Sequence, residues 1–255
     1  MKYMIFEIID QVAVIKINRP KALNALNLSV IEELDTAIKQ VAENSAVRVL
    51  VLGSGDHFAA GADIKGMVDC NVTEAKAFSF SQSFQNIVDL KIPTIAAIDG
   101  YALGGGLELA LTCDFRIASD AAKMGFPEIN LGIMPGAGGT IRAPRLIGES
   151  KAKELIFFGE MIDAQEAKRI GLVNQVVEKD ALMKTAMEWA AKLCKKAPLA
   201  LSVAKETIKG GLAESELKEA LKIEDENWAE LFDTEDQKEG MRAFIEKRKP
   251  VYQGK

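Results

Sequence analysis

Two glutamates of this chain occupy settings that are unusual for charged side chains. Glu108 follows three consecutive glycines and lies within an apolar run of leucines and alanines. Glu128 follows a proline and precedes a second apolar and glycine-rich run. A carboxylate among leucines is costly unless it is paired, solvated at a cleft or held for chemistry. Two such carboxylates on one glycine-rich framework indicate an acid/base pair.

Three glycine-rich segments could bring backbone N–H groups close to a ligand. Gly104–Gly106 precede an expected helix over Leu107–Cys113, where free N–H groups carry positive potential. FAAGADIK at 58–65 follows an expected strand, and PGAGGT at 135–140 could form an anion nest. Taken singly, each is more often structural: a tight turn, a loop with a helix cap at Asp63, and a turn that feeds a helix.

Several other kinds of site find little support in the residues. The glycine spacing is not GxGxxG, which does not favour dinucleotide binding. His57 is the only histidine and no GxSxG is present, so we expect no Ser-His-Asp triad and predict that His57 is a surface loop residue. One histidine and three scattered cysteines provide no metal-ligand cluster, and the cysteines without a CxxC pair are typical of reduced thiols.

The composition indicates a soluble globular protein. The 255 residues, 48% hydrophobic and 27% charged, suffice to bury a large core without disulfides or metals. The net charge of -5 argues against nucleic acid or an anionic membrane as the partner. We also find no signal peptide pattern and no stretch near the ~20 apolar residues that span a bilayer. We therefore expect a cytoplasmic protein.

The order of elements favours an α/β fold. Runs rich in isoleucine and valine predict strands at Val12–Ile17, Val47–Leu52, Thr94–Ile98 and Phe115–Ala118. Apolar residues at helical spacing predict helices over Val30–Val41, capped by Asn27 or Ser29, and over Thr73–Leu90. Beyond Ser150 the chain is mostly helical, with helices expected at Lys151–Phe158, Ala164–Ile170, Ala181–Lys196, Leu199–Lys209 and Glu214–Leu231. We expect the lysines of this part to lie on solvated faces: Lys192, Lys195, Lys196, Lys205 and Lys209.

Five segments together resemble the enoyl-CoA hydratase (crotonase) family. They are NRPKALNAL at 18–26, FAAGADIK at 58–65, IPTIAAIDGYALGGGLELALTCD at 92–114, FPEINLGIMPGAGGT at 126–140 and FIEKRKPVY at 244–252. The resemblance covers nearly the whole chain, and several motifs in the right order are far more specific than any one. It implies an α/β fold with a crotonase-like spiral of ββα turns over residues 1–195. It also implies a helical C-terminal trimerisation region over 196–255, with trimers pairing into homohexamers.

The resemblance also implies a mechanism without a cofactor, because coenzyme A is part of the substrate. The N–H groups of Ala62 and Gly105 would form an oxyanion hole for the thioester carbonyl. Glu108 would activate water for attack at C3, and protonated Glu128 would deliver a proton to C2. Because both carboxyl groups are present, the expected reaction is hydration of trans-2-enoyl-CoA, with crotonyl-CoA as the leading substrate, or the reverse dehydration.

The acyl-CoA would contact residues from both ends of the chain. The residues implied for CoA binding are Ala22, Ala60, Ala62, Asp63, Ile64, Lys65, Gly105, Trp228 and Lys247. Trp228 could stack on adenine and Lys247 could meet the 3′-phosphate, both reaching the CoA of a neighbouring chain.

Two residues depart from the family pattern. Phe126 stands where hydratases often carry glutamine, and Ile141 follows GGT where the family commonly has glutamine. Both leave the acyl-chain preference open. The alternatives are another crotonase-fold acyl-CoA lyase or isomerase and, from a different class, a non-catalytic RNA-binding relative, which an acidic chain without a basic, aromatic stripe does not favour.

Overall fold

The computed structural model describes residues 1–255 except for the side chain of Ala77. The strands are β1 (Met4–Ile9), β2 (Val12–Ile17), β3 (Val49–Ser54), β4 (Thr94–Ile98), β5 (Tyr101–Leu103), β6 (Phe115–Ser119), β7 (Lys123–Gly125), β8 (Met161–Asp163) and β9 (Gln175–Val177). The helices are α1 (Leu28–Glu43), α2 (Val72–Ala77), α3 (Ser81–Val88), α4 (Gly105–Ala110), α5 (Gly139–Ile147), α6 (Glu149–Phe158), α7 (Ala164–Arg169), α8 (Leu182–Cys194), α9 (Pro198–Ala213), α10 (Leu217–Glu230) and α11 (Glu235–Ile245).

The larger sheet has six strands in the order β1-β2-β3-β4-β6-β9. β1 is antiparallel to β2, and every other neighbouring pair is parallel. The central strands are buried along almost their whole length because helices cover both faces, α1 on one side and α8 on the other. The strands carry continuous runs of valine and isoleucine because both faces of the sheet are buried under helices.

A sharp turn at Gly100 carries the chain from the larger sheet into the smaller one. The three-stranded sheet has the order β5-β7-β8, and β5 begins directly after this turn. Gly100 has φ 53°, and a Cβ there would stand 2.3 Å from the carbonyl oxygen of Asp56. Only glycine fits this position. The turn matters for the site because β5 leads straight into the triple glycine and α4.

The predicted α/β class and the predicted strands are confirmed, with boundaries displaced by up to two residues. The N-cap of α1 is Asn27, whose side chain accepts a hydrogen bond from Val30 N–H at 3.0 Å. The antiparallel strand β1 is an addition that the sequence pattern did not predict as a strand. The predicted helices from residue 150 onward are also confirmed, and two short strands, β8 and β9, lie among them.

The single helix predicted over Thr73–Leu90 is wrong, because the chain forms α2 and α3 there instead. The described residues of α2 are exposed, whereas Phe80 and Phe84 are buried in the core. Ser81 at the start of α3 donates a hydrogen bond to the carbonyl oxygen of Gly136 at 3.2 Å. Contacts of α3 with distant parts of the chain therefore orient it separately from α2.

The prediction that Lys205 lies on a solvated face is also wrong. Its side chain is mostly buried, with Nζ 2.9 Å from Asp114 and donating to the carbonyl oxygen of Ile92 at 3.1 Å. Lys205 lies on α9, so these contacts join the C-terminal helices to the segments that lead into the interior strands β4 and β6. Among the described residues, no helix is long and apolar enough to cross a membrane.

Candidate active site

Glu108 is held by the backbone of the PGAGGT segment. It lies one turn into α4, is 2% exposed, and its Oε1 accepts hydrogen bonds from the N–H groups of Ala137 at 2.8 Å and Gly139 at 2.7 Å. Two donors on one oxygen favour the ionised form and fix its position. The segment thus forms an anion nest and also leads into α5, and the anion in the nest is Glu108 itself.

Glu128 lies in the 3-10 turn Pro127–Leu131 and packs against the glycines that precede α4. A Cβ at Gly104 would stand 2.6 Å from Glu128 Oε1, so the carboxyl group contacts the bare backbone of that glycine. Gly104 also has φ 50°, which a residue with a side chain adopts only with strain. Glu128 Oε2 is buried and has no hydrogen-bond partner among the described residues. The carboxyl group is therefore poorly stabilised as an anion.

The surroundings of the two carboxyl groups favour different protonation states. Burial raises the pKa of Glu128, its own backbone N–H lowers it, and the charge of Glu108 raises it, which together bring the pKa to about 7. Burial also raises the pKa of Glu108, but the N–H groups of Gly139 and Ala137 and the charge of Arg142 oppose that rise. The proton of the pair is consequently held by Glu128 in preference to Glu108.

Two backbone N–H groups without hydrogen-bond partners lie near Glu108. Ala62 lies on a segment held by Leu26, whose N–H donates to Gly61 at 2.8 Å and whose carbonyl accepts from Asp63 N–H at 2.7 Å. The N–H groups of Ala62 and Gly105 donate no hydrogen bond to any described residue. A Cβ built on Gly105 would lie 3.6 Å from Ala62 N and 4.0 Å from Glu108 Oε2. The two unpartnered N–H groups therefore lie close to each other and to Glu108.

The loop that carries Ala62 is fixed by polar contacts on its outer side. Arg19 Nη1 lies 2.8 Å from Asp63 Oδ2, and Asp63 Oδ1 accepts from Lys65 N–H at 3.3 Å. Asp63 is therefore a cap, as predicted, and its side chain is occupied. Ala60 N–H donates to Leu23 at 3.1 Å, which brings the loop containing Ala22 alongside.

The structure brings together Glu108, Glu128, Ala62 and Gly105. Other residues expected to bind CoA, namely Ala22, Ala60, Asp63, Ile64 and Lys65, lie on the two adjoining loops, with Ile64 and Lys65 exposed. Trp228 and Lys247 lie on α10 and directly after α11, outside the elements that form this cluster. Trp228 is 62% exposed and packs edge-on against Phe232, with ring centroids 4.7 Å apart.

His57 lies in a loop as predicted, but it is half-buried and not freely solvated. Its ring stacks on that of Tyr101 at 4.7 Å between centroids, and its Nδ1 accepts from Tyr101 N–H at 3.2 Å. It supports the turn at Gly100, since a Cβ on that glycine would stand 2.4 Å from Nδ1.

Sequence reasoning missed the roles of Ala137, Gly139 and Arg142 around Glu108. Part of this arrangement was visible in the sequence, because PGAGGT suggested an anion nest. Arg142 also follows Gly139 by about one helical turn, which places it on the same side of the helix. The two departures from the family pattern have different surroundings. Phe126 is fully buried, 2.8 Å from where a Cβ on Gly139 would lie, whereas Ile141 is 57% exposed.

A family model described as "Enoyl-CoA hydratase/isomerase" matches residues 7–255 of the chain. The chain belongs to the enoyl-CoA hydratase/isomerase family. This membership confirms the resemblance found in the motifs, and the protein is an enzyme of this class.

Relatives within the enoyl-CoA hydratase/isomerase family are similar over nearly their whole length. A protein of Clostridium acetobutylicum named "Short-chain-enoyl-CoA hydratase" is 48% identical, covering 96% of this chain and 95% of the relative. One of Syntrophomonas wolfei named "Crotonyl-CoA hydratase" is 45% identical, covering 96% of each chain. The crystal structure of an enoyl-CoA hydratase from Bacillus anthracis superposes with a TM-score of 0.95 at 41% identity, covering 99% of this chain and 100% of that one. The predicted crotonase fold is thereby confirmed.

Proposed function

We propose that this enzyme catalyses the reversible hydration of short-chain trans-2-enoyl-CoA to 3-hydroxyacyl-CoA, with crotonyl-CoA as the favoured substrate. The observation that carries the proposal is the meeting of Glu108, in its nest, and Glu128, with a pKa of about 7, beside the unpartnered N–H groups of Ala62 and Gly105. The names of the two relatives, a short-chain enoyl-CoA hydratase and a crotonyl-CoA hydratase, support the same substrate class.

The oxyanion hole is the first part of the proposed mechanism. The thioester oxygen accepts hydrogen bonds from Ala62 N–H and Gly105 N–H, and negative charge grows on that oxygen as C3 is attacked. Gly105 begins α4, so the positive end of the helix dipole also faces this charge. Preorganised donors of this kind stabilise the transition state more than the ground state.

The two glutamates perform the proton transfers. Ionised Glu108 removes a proton from water while the water oxygen forms the bond to C3. The C2–C3 π electrons shift toward the thioester, and protonated Glu128 then delivers its proton to C2. The elements of water are thus added across the double bond, which leaves Glu108 protonated and Glu128 ionised. Release of a proton from Glu108 and uptake of one by Glu128, through solvent, restore the starting state, and dehydration follows the same steps in reverse. Each positioned group typically contributes about 10²–10⁴-fold to the rate. We propose no cofactor, because the polarised thioester supplies the activation.

Binding of the CoA portion is proposed to involve two subunits. Within one chain, the backbone of Ala60–Lys65 and the loop at Ala22 would border the CoA. We further propose a homohexamer built as a dimer of trimers, in which Trp228 and Lys247 reach the CoA of a neighbouring chain. The exposure of Trp228 and the basic cluster at 247–249 support this part of the proposal.

The test is the loss of crotonyl-CoA absorbance on adding the purified protein. Glu108→Gln and Glu128→Gln should each lower kcat by about 10²–10⁴-fold with an unchanged circular dichroism spectrum. Glu160→Gln, which removes a carboxylate at an exposed position, is the matched control and should remain fully active. A variant of either catalytic glutamate that keeps more than about a tenth of wild-type kcat would contradict its assigned role.

The same assay separates the competing functions. An isomerase on this fold needs only one carboxyl group to move a proton between carbons, and the pKa of about 7 at Glu128 would suit such a shuttle. Wild-type protein that leaves crotonyl-CoA unchanged but converts a 3-enoyl-CoA would establish isomerisation in place of hydration. Inertness toward both, with tight RNA binding, would favour a non-catalytic relative.

A further inference from the structure

Arg142 joins three parts of the molecule beside Glu108. Its Nη1 donates to the carbonyl oxygen of Ala137 at 2.9 Å, and its Nη2 donates to Gln85 Oε1 on α3 at 3.3 Å. The guanidinium lies against the bare backbone of Gly138, where a Cβ would stand only 1.9 Å from Nη1. With φ 110° at Gly138, the loop takes a shape that favours glycine and admits the guanidinium.

The same residue, Ala137, contacts both Arg142 and Glu108. Its carbonyl oxygen accepts from the guanidinium, and its N–H donates to Glu108 Oε1. Arg142 therefore places a full positive charge close behind the nest, in a half-buried position where solvent screens it incompletely.

Other charged groups near Arg142 are engaged elsewhere. On α9, Lys205 pairs with Asp114 and Lys209 pairs with Asp89. Arg145 of α5 is exposed and donates to its own helix at Ile141, at 3.0 Å. Gln85, the contact of Arg142 on α3, is neutral. Besides Arg142, the charged group that faces Glu108 within the site is the carboxyl group of Glu128.

We propose that Arg142 is a positioning residue for Glu108. Arg142 holds the Ala137–Gly139 nest in place and keeps the Glu108 carboxylate ionised, so that it can act as the base. The inference rests on the proposed function, in which Glu108 removes the proton from water. The directions of the pKa shifts of Glu108 and Arg142 agree with an attraction between the two charges. Burial raises the pKa of Glu108 and the charge of Arg142 opposes that rise, while burial lowers the pKa of Arg142 and the charge of Glu108 opposes that fall.

A purely structural role would leave a different signature. If Arg142 only tied α3 to α5, its loss would lower stability and kcat at every pH alike. If its charge acts on Glu108, neutralising it raises the pKa of Glu108 and moves the acidic limb of kcat/KM to higher pH. Along that limb kcat/KM falls about tenfold per pH unit. The variant's loss of kcat/KM relative to the wild type is therefore larger at acidic pH than near neutrality.

The experiment compares pH profiles of kcat/KM for crotonyl-CoA among matched variants. Arg142→Met should move the acidic limb upward, Arg142→Lys should restore it, and Arg145→Met, the same charge change one turn away, should leave it unchanged. Gln85→Met removes the contact on α3 but no charge, and should also leave the limb in place. An unmoved limb in Arg142→Met, or an equal shift in Gln85→Met or Arg145→Met, would overturn the inference. Arg142→Gln is the second neutral variant if Arg142→Met does not fold.

A second measurement does not depend on turnover. Infrared difference spectra between the wild type and Glu108→Gln follow protonation of this carboxyl group with pH, and repeating them in an Arg142→Met background should show protonation at higher pH. If the wild type fails to hydrate crotonyl-CoA, the proposed function is refuted, while the spectra still decide whether Arg142 controls Glu108. Active wild type with unchanged spectra refutes the role of Arg142 alone.

Discussion

Replacing Glu128 with glutamine should stabilise the protein at alkaline pH. Burial first and the charge of Glu108 second raise the pKa of Glu128 from 4.5 to about 7. Between these values the folded protein keeps a proton that the unfolded chain has released. The free energy of unfolding therefore falls as pH rises through this window, and the full loss is present above pH about 7. Glutamine carries no charge, so the free energy of unfolding of the Glu128→Gln variant should not decrease in this way.

The size of the effect follows from the pKa values. A rise from 4.5 to about 7 corresponds to about 3 kcal/mol at ~1.4 kcal/mol per unit for a group fully removed from water. Glu128 is only partly buried, so solvent screening reduces this to roughly 1–2 kcal/mol. For a chain of this size that is a gain in Tm of roughly 2–8 °C for Glu128→Gln on the alkaline side.

Thermal unfolding followed by circular dichroism, near pH 4.5 and well above pH 7, measures the gain. Every sample should have the same protein concentration, because subunit association alone shifts Tm. Glu160→Gln, at an exposed position, is the control and should change Tm little at either pH. An equal Tm gain for Glu128→Gln at both pH values, or a lower Tm on the alkaline side, would refute the reasoning.

Three further predictions concern activity and the glycines of the site, and a fourth concerns CoA binding. In the proposed mechanism Glu128 must be protonated, so kcat/KM should decline as pH rises above about 7; a profile that stays flat through this region would contradict the assignment. Gly105→Ala has room in the fold, with its methyl 3.6 Å from Ala62 N, so it should keep Tm yet lose about 10²–10³-fold in kcat by filling the oxyanion space; normal turnover would remove that space from the mechanism. Gly104→Ala should lower the free energy of unfolding by about 1–3 kcal/mol, because φ is 50° and the methyl meets Glu128 Oε1, and an unchanged denaturation midpoint would argue against this contact. Lys247→Ala should raise KM for the CoA thioester with little change in kcat, and less for an acyl-pantetheine that lacks the 3′-phosphate; equal KM effects on both would place this lysine away from the phosphate.

Local sequence predicted most of the helices and strands and most of the residues of the candidate site. Runs of isoleucine and valine predicted the buried parallel strands, and Asn27 and Ser29 were the predicted candidates for the cap of α1. The charge of Glu108 among leucines was enough to mark it as a candidate functional residue, because burying an isolated carboxylate is expensive. PGAGGT was a candidate anion nest from its sequence, although such a run more often forms a turn that feeds a helix, because a nest resides in the backbone conformation of neighbouring residues.

Tertiary structure alone decided which groups meet. The anion in the nest is Glu108, 29 residues before Ala137, and no local pattern encodes that pairing. The break between α2 and α3 and the burial of Lys205 likewise depend on contacts with distant segments. Propensity and periodicity act over a few residues, whereas the pKa of a carboxyl group depends on everything packed around it. The sequence alone therefore identified Glu108 and Glu128, and only their packing revealed the different surroundings that hold the proton on Glu128.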